Sequence, residues 1–436
     1  MSRSLVAYLN DRRVGTLHEN NDLWAFEYDA AWASDPTAFD LSPALSRHRQ
    51  HHVDGATLRS VQWYFDNLLP EERLREAVAQ EASLDAFDSF ALLEYLGAES
   101  AGSVTLLPPG EPLPVQSGLI PLPDAELSRR IQRLPRAPLS SGSPKRMSIA
   151  GAQHKLPVVL RNGELFEPVG ATPSTHILKP DHPSIDFPSS AVNEFVTMRL
   201  ASAFGLDVPA VDLRYVPEPV YMIQRFDRIV GPDGAAHRSH IIDACQLLNK
   251  ARTFKYSGQS LETLTAIIGL TRNRVATRQA LFRWLLFNLV IGNDDCHLKN
   301  LSFRVSHQGI DLAPHYDLLS TCAYRTTAWA DTPNGAELRW PQVPLPYPLE
   351  GAASFNQVTR EVVQWLASQL RVAPFGRRQF ATLPRLPDHL RELSELVRAR
   401  RELCPAAAIH AASESRLFRV IERIVVSEML ASMGAG

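Results

Sequence analysis

One nine-residue segment, "GNDDCHLKN" (Gly292 to Asn300), combines two acids, a cysteine, a histidine, a lysine and two asparagines. Such a set could bind a metal ion, perform acid–base chemistry or form a solvated loop. Asp295 and Asn300 are five residues apart. Phosphoryl transfer needs an acceptor for the substrate's hydroxyl proton and an oxygen ligand for magnesium on the same side of one loop. The spacing therefore predicts Asp295 as the catalytic residue that accepts the hydroxyl proton, and Asn300 as a magnesium ligand.

The residues after this segment extend the same pattern. "LSFRVSHQGIDLAPHYDLLST" contains two strand-like runs around a polar turn at His307 to Gly309, and then Asp317. In protein kinases a second acid follows the catalytic loop and binds magnesium. Asp317 is therefore the second predicted metal ligand. The alternative is that Asp317 caps a helix beginning at "LLST".

Two charged residues upstream could form an ion pair. Lys179 ends the apolar strand "HIL", and Glu194 follows fifteen residues later in "SAVNEFVTMRLASAFGL", which has the spacing of an amphipathic helix. A kinase uses a strand lysine to contact the α- and β-phosphates, and a helix glutamate to hold that lysine. The alternatives are a lysine that extends to water and a solvated glutamate.

A segment of small residues, "SIAGAQHK", precedes the strand and could cover phosphates with its backbone N–H groups. Only one of its residues is glycine, so it does not match the G-x-G-x-x-G pattern. The predicted nucleotide-binding positions in it are Ser148, Ala150, Gly151, Ala152, Gln153 and Lys155.

Other predicted contacts lie on the strand "VYMIQRFDR" and in the catalytic segment. The strand falls where a hinge must hold adenine, so Gln224 and Phe226 are predicted beside the base. His297 and Lys299 are predicted to steady the loop or the γ-phosphate, although both could equally lie on a solvated loop. Cys296 is interpreted as a small buried apolar residue rather than a reactive thiol.

The strand-like and helix-like runs that must position these residues indicate an α+β protein. "KLPVVLRNGELFEPV" has the pattern of a hairpin around Asn162-Gly163, the pair favoured in type I′ turns. "SLVAYLNDRRVGTL" has the pattern of another hairpin, and helices dominate from Thr277 onward. The stretch "DTPNGAELRWPQVPLPYPLEG" is interpreted as a long proline-rich loop. The predicted domains are a small α+β unit (1–107), a proline-rich connector with one short helix (108–144), a β-rich lobe (145–275) and a helical lobe (276–436).

The composition is that of an ordinary globular protein. Of 436 residues, 45% are hydrophobic and 21% charged, and the net charge of −2 does not indicate a globally basic nucleic-acid binder. Four scattered cysteines do not form a disulfide framework, which favours a reducing cytoplasm. The N-terminus does not resemble a signal peptide, and no apolar run is long enough to predict a membrane span.

Several of these motifs together resemble one family. "SIAGAQHK", "HILKP", "NEF", "QRFDR", "GNDDCHLKN" and "LAPHYDLLST" are similar to the motifs of HipA-type serine/threonine kinases, the toxins of bacterial toxin–antitoxin pairs. "WYFDNLLPE" resembles the N-terminal domain of the same family, so the resemblance covers nearly the whole chain. One departure is Gln224, where the family pattern "ERFDR" would have glutamate.

The resemblance implies a two-lobed protein-kinase-like fold that uses ATP and Mg²⁺ and phosphorylates a protein. It implies autophosphorylation of Ser148 and an association with a HipB-like helix-turn-helix antitoxin, through which the complex mainly contacts DNA. It also suggests an aminoacyl-tRNA synthetase or another translation component as the substrate, and growth arrest or persistence as the outcome. No membrane partner is expected.

Three other interpretations remain open from the sequence. A zinc protein or metal-dependent hydrolase could use Asp294, Asp295, Cys296 and His297, but adjacent residues cannot all face one ion, and the usual zinc spacings do not occur. An inactive kinase fold could serve as a corepressor that binds an antitoxin. A small-molecule kinase of the aminoglycoside or choline type would share the D-x-x-x-x-N loop.

Overall fold

The structure is a computed structural model that describes residues 2–97, 103–114, 117–144, 153–230, 236–329 and 339–435. It contains both helices and sheets. Two compact units can be distinguished. The first contains the residues up to Leu178, Gln224–Lys255 and Leu301–Ala313, and the second contains Lys179–Ile223, Tyr256–Asn300 and the residues from Pro314 onward.

The β-strands are β1 (Arg3–Leu9), β2 (Arg12–Asn20), β3 (Leu23–Tyr28), β4 (His51–Val53), β5 (Val104–Leu107), β6 (Ser117–Pro121), β7 (Leu156–Arg161), β8 (Glu164–Gly170), β9 (His176–Pro180), β10 (Val211–Tyr215), β11 (Pro219–Gln224), β12 (Arg228–Val230), β13 (Ala236–Arg238), β14 (Ile241–Asp243), β15 (Ser302–Ser306), β16 (Gly309–Leu312), β17 (Pro344–Leu349) and β18 (Ala352–Ser354).

The α-helices are α1 (Ala30–Ser34), α2 (Ser60–Asp66), α3 (Glu72–Ala82), α4 (Ser89–Leu96), α5 (Asp124–Ile131), α6 (Ser190–Ala203), α7 (Ala244–Leu247), α8 (Phe254–Ser257), α9 (Leu261–Leu270), α10 (Arg274–Val290), α11 (Arg360–Gln369), α12 (Ala373–Phe380), α13 (Leu386–Glu402), α14 (Ala411–Val420) and α15 (Ser427–Ser432). Short 3₁₀ turns include Leu298–Asn300 and Thr321–Arg325, and a π-helical turn covers Ile421–Val426.

The first unit begins with an antiparallel sheet in the order β4-β3-β2-β1-β5. The predicted hairpin of β1 and β2 is confirmed, with a register shift after Ala7. Alternate side chains of these strands, including Leu17 and Phe26, are buried, and Phe65 of α2 packs against Phe26. This alternation is what a sheet with one covered face requires.

A second sheet in this unit contains the predicted β7–β8 hairpin. Asn162 (φ 51°) and Gly163 (φ 80°) both have the left-handed conformation that a type I′ turn requires, so this prediction is confirmed. Strand β9 pairs with β7, and β6 pairs with β8. The sequence analysis did not predict β6, which lies in the proline-rich segment.

The hairpin predicted after the catalytic segment is also present. Strands β15 and β16 pair antiparallel, with Ser306 opposite Gly309, and β14 pairs with the other edge of β15. Gly309 (φ 118°) provides the turn conformation that other residues rarely adopt.

The second unit contains the predicted helix α6, but the prediction that this helix is amphipathic is wrong. Most of its side chains are buried, including the polar residues Asn193, Glu194 and Thr197. Asn193 donates through Nδ2 to the carbonyl of Ser320 at 3.0 Å, and Thr197 Oγ1 donates to Asn193 Oδ1 at 3.2 Å. Polar residues on this helix therefore have buried hydrogen-bond partners rather than facing water.

Helix α10 forms much of the core of the second unit, with Leu281, Trp284 and Phe287 fully buried. The predicted proline-rich loop is wrong in part, because Pro344–Leu349 forms strand β17 and pairs with β18. Residues 330–338 lie outside the described residues. In the part of the chain that the structure describes, each helix is too short or too polar to cross a membrane.

Candidate active site

A buried lysine joins two carboxylates in the second unit. Lys179, near the end of β9, is 6% exposed, and its Nζ donates to Glu194 Oε1 at 2.7 Å and to Asp317 Oδ1 at 2.6 Å. The aromatic ring of Tyr221 lies 5.8 Å from Nζ. Residues far apart in the sequence thus meet at one ammonium group.

The charge of Lys179 follows from its surroundings. Burial alone lowers the pKa of a lysine, because the ammonium loses its hydration. The negative charges and hydrogen bonds of Asp317 and Glu194 outweigh this effect and raise the pKa of Lys179 above its ordinary value. The side chain is therefore a fixed positive charge at neutral pH, as a contact for phosphate oxygens must be.

The first turn of α6, the helix that contains Glu194, is fixed by a half-buried acid. Asp181, two residues after Lys179, accepts a hydrogen bond from the backbone N–H of Ala191 at 2.8 Å. Burial, together with the charge of Glu414, raises the pKa of Asp181 to about 7. Asp181 thus connects the chain just after Lys179 to the first turn of the helix that contains Glu194.

A sharp turn leads from α10 into the segment that contains Asp295. Gly292 has φ 61°, and a Cβ there would lie 2.8 Å from Val425 Cγ1, so another residue would be strained and would clash. Asn293, which is buried, donates to Asn288 Oδ1 at 2.8 Å and accepts from the N–H of Asp295 at 3.1 Å. These contacts fix the backbone immediately before Asp295.

The two adjacent acids of the loop have different environments. Asp294 is largely buried, and its Oδ2 lies 2.8 Å from Nε of Arg325. Asp295 is exposed, and its Oδ1 accepts a hydrogen bond from the hydroxyl of Tyr256 at 3.0 Å. Asp294 therefore has a structural partner, whereas Asp295 faces solvent, where a substrate hydroxyl could reach it.

Asn300 lies close to Asp295. It is buried in the 3₁₀ turn Leu298–Asn300, and its Nδ2 donates to the backbone carbonyl of Asp295 at 3.2 Å. Because the amide nitrogen makes this bond, the amide oxygen is the atom suited to a hard cation. The structure thus brings Asp295 and Asn300 together, as the D-x-x-x-x-N spacing requires.

Asp317 has an unusual backbone conformation. Its φ is 59°, a left-handed value that aspartate and asparagine tolerate better than most residues. The next helical turn begins at Thr321 and has Ser320 as its N-cap residue, so Asp317 does not cap a helix. About a third of its side chain is exposed, which makes the carboxylate accessible to a ligand.

The other residues of the catalytic segment are packed. Lys299 is buried, and its carbonyl accepts from the Tyr316 hydroxyl at 2.9 Å. His297 is half-buried, with its ring against that of Tyr256. Cys296 is buried, and burial raises the pKa of its thiol well above the ordinary value. A reactive thiolate is therefore not available at Cys296.

The remaining predicted nucleotide contacts belong to the first unit or lie outside the described residues. Gln153 and Lys155 are half-buried, Gln224 is exposed, and Phe226 is half-buried. The positions outside the described residues are Ser148, Ala150, Gly151 and Ala152.

The donor groups can be tested against a metal ion. Among the described residues, no three His, Cys, Asp or Glu side chains converge as a metal site, so the zinc interpretation has no structural support there. Magnesium is different, because it keeps several waters and commonly takes one or two protein ligands together with phosphate oxygens. The carboxylate of Asp317 and the amide oxygen of Asn300 fit that requirement.

Comparison with known proteins identifies the family. The HipA-like C-terminal domain matches residues 147–371, and the HipA N-terminal domain matches residues 5–107. The chain belongs to the HipA family. HipA of Shewanella oneidensis, a serine/threonine-protein kinase toxin, is 31% identical over 342 residues, which cover 74% of this chain and 76% of that protein. Y4mE of Sinorhizobium fredii, named as a kinase, is 39% identical over 337 residues, or 74% of this chain and 78% of that protein.

A solved structure supports the same assignment across the whole chain. In the complex of Shewanella oneidensis HipA, HipB and operator DNA, the matching chain has a TM-score of 0.74 and 27% identity, covering 98% of this chain and 99% of that one. The predicted family and the α+β, HipA kinase-like fold are confirmed. This HipA-family chain is a serine/threonine-protein kinase toxin, and kinases of this kind use ATP.

The sequence analysis missed Tyr256, whose hydroxyl contacts Asp295, and Asp181, which fixes the start of α6. Tyr256 is 39 residues from its partner, and no motif marked it. Asp181 directly follows the motif "HILKP", but α6 begins only at Ser190, so no local capping pattern marked this acid.

Proposed function

We propose that this HipA-family kinase transfers the γ-phosphate of ATP to a serine or threonine hydroxyl of a protein, with Asp295 as the proton acceptor. The observation that supports this most is the pair of clusters in one unit: Lys179 with Glu194 and Asp317, and Asp295 with Asn300. These are the groups that phosphoryl transfer requires.

The chemical step uses few protein groups. The substrate's hydroxyl oxygen forms a bond to the γ-phosphorus while the bond from that phosphorus to the β,γ-bridging oxygen breaks, and ADP leaves with the electron pair. The hydroxyl proton passes to the carboxylate of Asp295. Lys179 holds the α- and β-phosphates by its fixed charge, and Glu194 holds Lys179 in place.

Magnesium supplies positive charge to the phosphate oxygens when it is bound. Asn300 and Asp317 are the residues that would hold it. His297 and Lys299 are proposed to steady the loop or the γ-phosphate, and the segment from Ser148 to Lys155 to cover the phosphates. Gln224 and Phe226 are proposed to lie beside adenine.

The biological setting is proposed from the relatives. The solved Shewanella oneidensis complex contains HipB and operator DNA. We propose that this chain likewise binds a HipB-like helix-turn-helix antitoxin and contacts DNA mainly through it, as suits its net charge of −2. The substrate is proposed to be an aminoacyl-tRNA synthetase or another translation component, with growth arrest as the result. Four free cysteines support a cytoplasmic location.

The test is transfer of labelled phosphate from MgATP to protein. Wild-type chain, mixed with a dialysed bacterial extract, should label protein and not small metabolites, and Lys179→Met should label neither. Mass spectrometry of the wild-type chain should find phosphate on Ser148, and the inactive variant should lack it. Labelled metabolites would support a small-molecule kinase instead, and no label in either fraction would support an inactive corepressor.

A further inference from the structure

Tyr256 contacts the carboxylate to which the proposed function assigns proton transfer. The residue lies in α8, it is about half exposed, and its hydroxyl donates to Asp295 Oδ1 at 3.0 Å. Both residues belong to the same compact unit. The bond is charge-assisted, because a neutral phenol donates to a carboxylate, and such bonds are stronger than those between neutral groups.

Two further contacts connect the same segment to the loop. The ring of Tyr256 meets the ring of His297 edge to face, with centroids 5.2 Å apart and an interplanar angle of 77°. Three residues after Tyr256, Gln259 donates through Nε2 to the carbonyl of Cys296 at 3.2 Å. Residues 256–259 thus contact three successive residues of the loop: Asp295, Cys296 and His297.

The hydrogen bond from Tyr256 is relevant to catalysis because Asp295 is exposed and its carboxylate could otherwise rotate. Rotation of an aspartate carboxylate about its last torsion angle has a broad energy profile, so an exposed carboxylate does not point in one direction unless a partner fixes it. Rates of group transfer depend strongly on such orientation. A donor on Oδ1 sets the plane of the carboxylate and directs the other oxygen, Oδ2, toward an incoming hydroxyl.

We propose that Tyr256 is a positioning residue for Asp295, which orients the carboxylate for proton acceptance while Gln259 holds the adjacent backbone. The inference depends on the proposed role of Asp295. Tyr256 does not exchange its own proton in this account. Its hydroxyl could instead occupy the place of the substrate's hydroxyl, but the additional contacts of residues 256–259 with His297 and Cys296 favour a positioning role.

The decisive variant is Tyr256→Phe, which removes the hydroxyl and retains the ring against His297. The rate of labelled-phosphate transfer from MgATP to proteins of a dialysed extract is measured against ATP concentration. The maximal rate should fall about tenfold, the effect of losing roughly one charge-assisted hydrogen bond. The KM for ATP and the unfolding temperature should remain close to the wild-type values. Tyr256→Leu, which also removes the ring contact, should be slower still.

Tyr8→Phe is the matched control. Tyr8 is a half-buried tyrosine of β1 in the other unit, and the same chemical change there should leave the rate unaltered. Gln259→Leu should lower the maximal rate without changing the KM for ATP, because it removes the contact with the Cys296 carbonyl. A merely structural role for either residue would show as a lower unfolding temperature with an unchanged rate, which would overturn the inference.

A double-mutant cycle separates this inference from the function on which it rests. In an Asp295→Asn background, Tyr256→Phe should cause no further loss, since the oriented carboxylate is already gone. If Asp295→Asn is inactive and Tyr256→Phe has the wild-type rate, the inference fails and the proposed function stands. A faster Tyr256→Phe variant would also overturn it and would show that the hydroxyl blocks the acceptor position. If Asp295→Asn transfers phosphate at the wild-type rate, both fail.

Discussion

The Asp295 loop and the Lys179 cluster, both in the second unit, place their charges in opposite environments. Asp295 is exposed and lies five residues from Asn300, whereas Lys179 and Glu194 are buried and Lys179 is 138 residues from Asp317. An exposed carboxylate is in contact with solvent and can receive a substrate's hydroxyl. A buried lysine between two carboxylates is a fixed charge that can hold phosphates. This difference supports the proposal that the Asp295 loop performs transfer and the Lys179 cluster binds nucleotide.

The largest expected effect comes from Asp295→Asn. Loss of a positioned proton acceptor should lower phosphate transfer by roughly 10²–10⁴-fold. Because the side chain is exposed, the unfolding temperature should not change. The matched control is Asp294→Asn, which weakens the contact with Arg325. It should reduce the free energy of unfolding by roughly 1 kcal/mol and retain much more of the rate. Equal loss of activity in both variants would remove the distinction between the two acids.

The next effect concerns magnesium. Asp317→Asn introduces a residue that also tolerates the backbone angle φ 59° at this position. The substitution therefore removes only the negative charge. The increase in ATP affinity on adding Mg²⁺ should shrink by at least about tenfold, since even supporting residues of metal sites have effects of that size. Titration calorimetry with and without Mg²⁺ measures this. An unaltered magnesium effect would place the metal site elsewhere.

A smaller effect is expected on stability. Glu194→Gln removes one charge from the buried Lys179 cluster, while Asp317 still accepts a hydrogen bond from the lysine. The free energy of unfolding should fall by about 1.5–3 kcal/mol, the range for a hydrogen bond to a charged group. Glu262→Gln, on the exposed side of α9, should change it by less than about 0.5 kcal/mol. Chemical denaturation of both variants measures these changes. Equal losses in the free energy of unfolding would mean that the buried Lys179–Glu194 pair contributes no stability.

The remaining prediction is a pH dependence at Asp181. Burial, aided by the charge of Glu414, raises its pKa to about 7 from an ordinary 3.8. Between these values the folded protein binds more protons than the unfolded chain, so this carboxyl lowers stability as the pH rises from about 4 to 7. Asp181→Asn retains an acceptor for the N–H of Ala191 and removes the titration. Its unfolding temperature should decline less over that interval than that of wild type. Parallel curves for the two proteins would contradict the assigned pKa.

The sequence predicted best where chemistry is local. The closeness of Asp295 to Asn300 and the three hairpins follow from short spacings and turn residues, which the backbone itself enforces. Helix α6 was predicted correctly as a helix but incorrectly as amphipathic, because tertiary partners bury its polar residues Asn193 and Thr197. The left-handed backbone of Asp317 also depends on tertiary structure.

Order along the chain, rather than spacing, indicated the Lys179 cluster. Lys179, Glu194 and Asp317 follow one another along the chain in the order that a kinase needs. In the structure both carboxylates accept hydrogen bonds from the ammonium group of Lys179. Tyr256 could not be found in this way, because its contact with Asp295 depends on how α8 packs against the loop. The match to the HipA family supports the kinase-like order of these residues, and the structure shows the contacts between their side chains.

The most direct test of the division between transfer and binding is the MgATP affinity of two variants measured side by side by calorimetry. The account predicts that Asp295→Asn binds MgATP with the wild-type Kd although its phosphate transfer is roughly 10²–10⁴-fold slower. It also predicts that Lys179→Met binds MgATP at least about tenfold more weakly, as the loss of a charge-assisted contact implies. If Asp295→Asn loses as much affinity as Lys179→Met, or if Lys179→Met binds as tightly as wild type, the division is wrong.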